Sequence, residues 1–113
     1  MTFDIHGLAP TDEVGEYFMN NNWWWRPLAG VIESSCSDLL TDEQKNGLQY
    51  NDGAKYSNEI AIKIAERLET EIKQPSVLKA TAKKFTGEHH QFSIDNVKDF
   101  INFAKKSGGF QIY

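Results

Sequence analysis

The chain opens with "TFDIHGL" and closes with "FQIY", and these two short runs constrain its fold more than anything between them. Phe3 and Ile5 alternate with Asp4 and His6; Phe110 and Ile112 alternate with Gln111. Period-two alternation marks a half-buried strand. A strand of about four residues is not stable alone. The runs at 3–6 and 110–113 therefore predict each other as partners in one small sheet, which closes the 113-residue chain into a single domain, 1–113.

A sheet with an apolar face needs helices to cover it. Leu28, Val31, Ile32, Ser35, Cys36, Leu39 and Leu40 fall at three-and-four spacing and predict a helix over about 27–40. Pro27 is comfortable in a first turn and disfavours helical geometry at Arg26, although a start at Trp23 is compatible with the pattern. Ser57 caps a second helix with the stripe Ile60, Ala61, Ile64, Ala65, Leu68 and Ile72, closed by Pro75. Ser93 caps the last helix, with Phe92 packing on Val97 as a staple. Its stripe is Val97, Phe100, Ile101 and Ala104, with Phe103 beside it, and Gly108 and Gly109 end it. Residues 76–85 read as a short helix and "TGEHHQ" as a turn. The expected architecture is α+β: about three helices packed on a minimal sheet formed by short N- and C-terminal strands.

Composition narrows the class. Sixteen acids against twelve lysines and arginines give a formal charge of −4, which disfavours nonspecific nucleic-acid binding. Cys36 is the single cysteine, so no intrachain disulfide forms and a reducing compartment is the simple reading. The N-terminus lacks a secretion-signal pattern, and no apolar run reaches the roughly 20 residues that span a bilayer. A cytoplasmic domain without membrane contact is expected.

The blocks "GEYFMNNNWWWRPL", "YNDG" before an "IAxxLE" helix, and "SGGFQI" at the end resemble a family of short uncharacterised bacterial and phage proteins, in which "GxYFRNNxWWWRPL" recurs. The resemblance touches roughly residues 3–28, 50–69 and 92–112, and its tryptophan block is the specific part. This chain has Met19 where an arginine is common. It lacks the cysteine-rich insertion that longer members carry near residues 80–90, so no zinc site is expected there. The resemblance implies a phage or prophage setting and carries no catalytic residue.

The candidate site is "NNNWWWRPL". Three consecutive side chains on a helix or turn cannot all face the core. Trp24 and Trp25 align with Leu28 and are expected inside; Trp23 and Arg26 are expected accessible. The plain reading is a core anchor with Arg26 stacked on a ring. The functional reading is a protein-binding surface, since Trp and Arg are enriched in interface hot spots. Asn21 and Asn22 serve as caps or as polar contacts beside it. The turn Asn51-Asp52-Gly53 makes Asp52 the one candidate for a positioned acid. The alternative to a protein partner is thus a small ligand or nucleotide, even an enzyme's substrate, held between the Trp/Arg segment and this turn. His6, Cys36, His89 and His90 have no metal-ligand spacing, no phosphate-binding loop or nucleophile motif occurs, and no cofactor is expected. Lys79, Lys83, Lys84, Lys105 and Lys106 read as a solvated face.

Overall fold

The computed structural model describes residues 2–87 and 91–113, so the expectations for His89 and His90 lie outside it. Its elements are β1 (Thr2–Gly7), β2 (Tyr17–Asn21), α1 (Asn22–Ser35), α2 (Asp42–Gly47), β3 (Lys55–Ser57), α3 (Asn58–Glu71), α4 (Pro75–Ala82), α5 (Ile94–Lys106) and β4 (Gly109–Ile112). Single 3-10 turns lie at Glu13–Gly15 and Lys83–Phe85.

The fold is α+β. The two chain ends pair antiparallel, with Ile5 opposite Ile112 and Gly7 opposite Phe110. The sheet is larger than the ends alone predict: β2 adds outside β1 and β3 adds outside β4, in the order β2-β1-β4-β3. Every neighbouring pair is antiparallel.

Alternation sorts the sheet's side chains. Phe3, Ile5, Phe18, Tyr56, Phe110 and Ile112 are buried on one face, under the helices. Phe18, Phe100, Phe103 and Phe110 interlock there with ring centroids 5.4–6.0 Å apart. Phe103, expected beside the stripe of α5, is as buried as Phe100 because β2 brings Phe18 against it.

Several helix signals hold. Ser57 Oγ accepts from the Ile60 amide at 3.3 Å, and Ser93 Oγ from the Asn96 amide at 3.1 Å. Gly108 and Gly109 take φ of 70° and 96°, and this left-handed pair turns the chain from α5 into β4. A Cβ on Gly109 would also come within 2.7 Å of the Tyr56 carbonyl oxygen.

The first helix needs correction. It runs from Asn22 to Ser35, five residues earlier than expected at its start, because Asn21 Oδ1 accepts from the amides of Trp23 and Trp24 at 3.1 and 3.3 Å. Pro27 thus lies in the helix interior, where its absent N–H strands the carbonyl of residue i−4. That carbonyl belongs to Trp23, and it accepts instead from the Gln91 amide at 2.8 Å. The proline is tolerated because a neighbouring segment fills the gap. Leu39 and Leu40 follow the helix in a turn. Pro75 starts α4 instead of ending α3.

Candidate functional site

The tryptophan block divides by position. Trp25 is fully buried; its Nε1–H donates to the Leu48 carbonyl at 2.8 Å and its ring stacks on Phe3 at 5.6 Å. Trp24, expected in the core, is only half-buried. It projects beside the start of α5 and lines a shallow groove of about 250 Å³ with Asn20, Ser93, Asp95, Asn96 and Asp99. Trp23 is 45% exposed.

The polar residues of the block hold the scaffold. Asn20 and Asn96 exchange side-chain hydrogen bonds at 2.8 and 3.1 Å, tying β2 to α5. Asn21 is the helix cap. Asn22 Oδ1 accepts from Arg26 Nε at 2.8 Å. Arg26 Nη1 donates to the Gln49 carbonyl at 2.9 Å and to Gln49 Oε1 at 3.2 Å, while the guanidinium carbon lies 5.4 Å from the Phe3 ring centroid. Arg26 is therefore a partly buried brace between α1 and the segment after α2.

The turn at 51–53 follows Gln49, on which Arg26 is braced. Asp52 is exposed and lines a depression of about 350 Å³ with Glu43, Asn46, Gly47, Tyr50, Gly53 and Ala54. Neither Trp23 nor Arg26 lines it. Asn51 Nδ2 donates to the Thr2 carbonyl at 3.3 Å, and Gly53 has φ of 101°, so the turn is fastened to the sheet. Among the described residues, no three His, Cys, Asp or Glu side chains group closely enough to hold a metal. Cys36 is buried, and burial pushes its thiol up to about 12.

The residues that sequence reasoning missed lie on the other face of the sheet. Asp4, His6, Tyr17, Met19, Lys55, Gln111 and Tyr113 point away from the helices, and all but Asp4 and Gln111 are exposed. The His6 ring sits between Tyr17 and Tyr113, 5.1 Å from each. The Tyr17 hydroxyl donates to the Asp4 carboxylate, and that bond raises the phenol above its ordinary range. Tyr113 donates to Gln111 Oε1 at 2.6 Å. Tyr17, Met19 and Tyr113 are each 48% exposed, so one small face carries three large, accessible side chains around an imidazole. The available signal was the alternation of Asp4 and His6 in β1 and the tyrosine ending the chain.

No protein-family model matches the chain, and no curated protein or solved structure matches it. Among the described residues, no helix is long and apolar enough to cross a membrane.

Proposed function

We propose that this domain acts in the cytoplasm by binding a protein partner, with the open sheet face as the main contact and Trp23, two residues past the end of β2, as a further anchor. One observation carries the reading: Tyr17, His6 and Tyr113 form a ring ladder, flanked by Met19, on the side of the sheet away from the helices. Aromatic and methionine side chains are enriched where proteins meet, and large apolar groups grouped on a surface mark contact sites. Arg26 supports the segment from within, since its Nε and Nη1 donate to Asn22 and Gln49. The resemblance of the tryptophan block extends the reading to a phage- or prophage-encoded modulator of a host process.

The test places a photo-crosslinking residue at Tyr113, at Trp23 and, as a control on α4, at the exposed Val77. In a lysate of the source organism, positions 113 and 23 should capture the same protein and position 77 should not. Equal capture at all three positions, or none at 113 and 23, would overturn the reading. The small-ligand alternative has its own observation, the depression beside Asp52 with Glu43 and Tyr50 on its walls. It would be favoured if chemical-shift changes with added small molecules clustered at Tyr50 and Asp52 and spared the sheet face.

A further inference from the structure

The two edges of the sheet are built differently. β3 has three residues and carries Lys55, a length and a charge that discourage further pairing. β2 has five residues, "YFMNN", with no charge, proline or glycine. The main-chain pattern shows where its hydrogen-bonding groups point. Asp4 and Tyr113 exchange main-chain bonds at 3.2 and 2.7 Å, whereas the Gly7 amide donates to the Glu16 carbonyl at 3.0 Å. Antiparallel pairing alternates, so on β1 residues 4 and 6 bond to β4 while 3, 5 and 7 bond to β2. On β2, Phe18 and Asn20 then bond to β1. Among the described residues, Tyr17 and Met19 turn their N–H and C=O groups to the open edge, and Asn21 turns its N–H there while its carbonyl, at the helix cap, serves the first bond of α1. The Met19 carbonyl accepts from Asn20 Nδ2 at 3.0 Å, which leaves its second lone pair available.

We propose that this edge pairs with the β2 strand of a second copy of the chain, antiparallel across a twofold axis at Met19. This register sets Met19 against Met19 of the other copy and Tyr17 against its Asn21, so the two Met19 residues exchange main-chain bonds and each Tyr17 carbonyl meets the Asn21 N–H of the other copy. Charge favours this occupant. An acidic chain of net charge −4 repels its own copies over most approaches, but β2 brings no charge to the axis. Pairing through β3 would set lysine near lysine. The product is a continuous eight-stranded sheet whose open face holds two Tyr17–His6–Tyr113 ladders. A five-residue pairing buries less than the roughly 800 Å² per partner of a standard interface, so the dimer is weak and concentration-dependent.

Sedimentation equilibrium from about 10 μM to about 1 mM, where an interface of this size populates its complex, is the primary test. The wild-type mass should climb from one chain towards two. Met19→Pro removes an edge-facing donor, a position where a strand tolerates proline, and should hold the protein at one chain. Met19→Lys, an exposed substitution that keeps the main chain, should weaken association at least about fivefold by setting two ammonium groups together. Because Cys36 is buried with its thiol held protonated, Met19→Cys provides the one reactive thiol. Its oxidation should give a disulfide dimer faster than Lys55→Cys or Val77→Cys, since opposed residues of a bonded pair lie about 5.5 Å apart at Cα, within disulfide reach. A single-chain mass throughout, association unchanged by Met19→Lys, or no faster crosslinking at position 19 would each overturn the dimer. The dimer does not depend on the partner reading: a monomer that still captures a partner from Tyr113 sinks only this inference.

Discussion

The two faces of the sheet are made from the same strands and the same kinds of side chain, yet they do different things. Phe3 and Ile5 face the helices; Asp4 and His6, between and beside them, face solvent. On the inner face, Trp25, Phe3, Phe100 and Phe110 touch one another, and the buried polar tips are matched, as with the Trp25 indole on Leu48. On the outer face, Tyr17, His6 and Tyr113 also touch, but among the described residues no helix covers them. Aromatic clustering alone therefore does not separate core from site. Coverage does, and coverage is a property of topology: a sheet edge and a helix layer decide which half of an alternating strand is left open.

The largest expected effect tests the inner half of this comparison. Trp25→Ala removes a fully buried indole and orphans the Leu48 carbonyl. It should cost about 3–5 kcal/mol, the range for deleting a large buried aromatic. Tyr113→Ala, on the outer face, should stay within about 0.5 kcal/mol. Urea denaturation of the two variants checks the pair. A comparable loss in Tyr113→Ala would mean that the outer face is structural as well.

Arg26 sharpens the comparison from the tryptophan block, because sequence spacing places it with Trp23 on the accessible side while the structure gives it three hydrogen bonds and the Phe3 ring. Arg26→Ala should cost about 1–2 kcal/mol, as expected for a partly buried, charge-assisted brace. Arg26→Lys should recover little, since one ammonium does not reproduce the fork to Asn22 and Gln49. Thermal or urea unfolding reads both. A neutral Arg26→Ala would return this residue to the binding surface.

The legibility of these features follows their local chemistry. The end strands, α3 and α5 are readable because each couples a cap or a breaker to a clean period. β2 is hidden because Tyr17, Phe18 and Met19 are apolar in succession, and because Asn20 faces inward to pair with Asn96, which breaks the alternation. β3 is hidden by its length, with Tyr56 as its sole buried residue. α2 buries no residue and so has no stripe, although its capping box, Thr41 with Gln44, stands in the sequence. Of the site, the sequence isolates Trp23 as exposed. It cannot show that Tyr17, His6 and Tyr113 meet, since that depends on two long-range strand pairings.

A smaller effect concerns the brace at the far end of α1. Arg67 makes two parallel bonds to Asp38, at 2.8 and 2.9 Å, and also reaches the Ser35 carbonyl. The guanidinium lowers the Asp38 carboxyl to about 2. A depressed carboxyl pKa adds stability above its unfolded value near 3.9, and that contribution is lost as pH falls towards about 2. Asp38→Asn should therefore melt slightly below the wild type at neutral pH, and the gap should close on acidification through this window. Because the pair is solvent-exposed, the difference should be modest and should shrink in high salt. A gap that persists at pH about 2 would assign it to something other than this ion pair.

The smallest expected effect belongs to the open face itself. The Asp4 carboxylate accepts the Tyr17 hydroxyl, and this bond holds the phenol above its ordinary range near pH 10. A pKa raised in the folded state contributes stability that is complete below the unfolded value and is lost as pH rises through the folded one. Tyr17→Phe should thus change the melting temperature little at neutral pH, and any difference should fade in strong alkali. The telling measurement is the titration of the ring by NMR. Tyr17 should ionise above the ordinary tyrosine value near 10, and Asp4→Asn should bring it back towards that value. The same substitution removes a carboxylate from the face without touching the helices, so it separates electrostatics from folding. If Tyr17 titrated at the ordinary tyrosine value in the wild type, the Asp4 bond would not persist in solution. The ring ladder would then lack the tether that orients its outermost member, and the open face would differ from the buried one in order as well as in coverage.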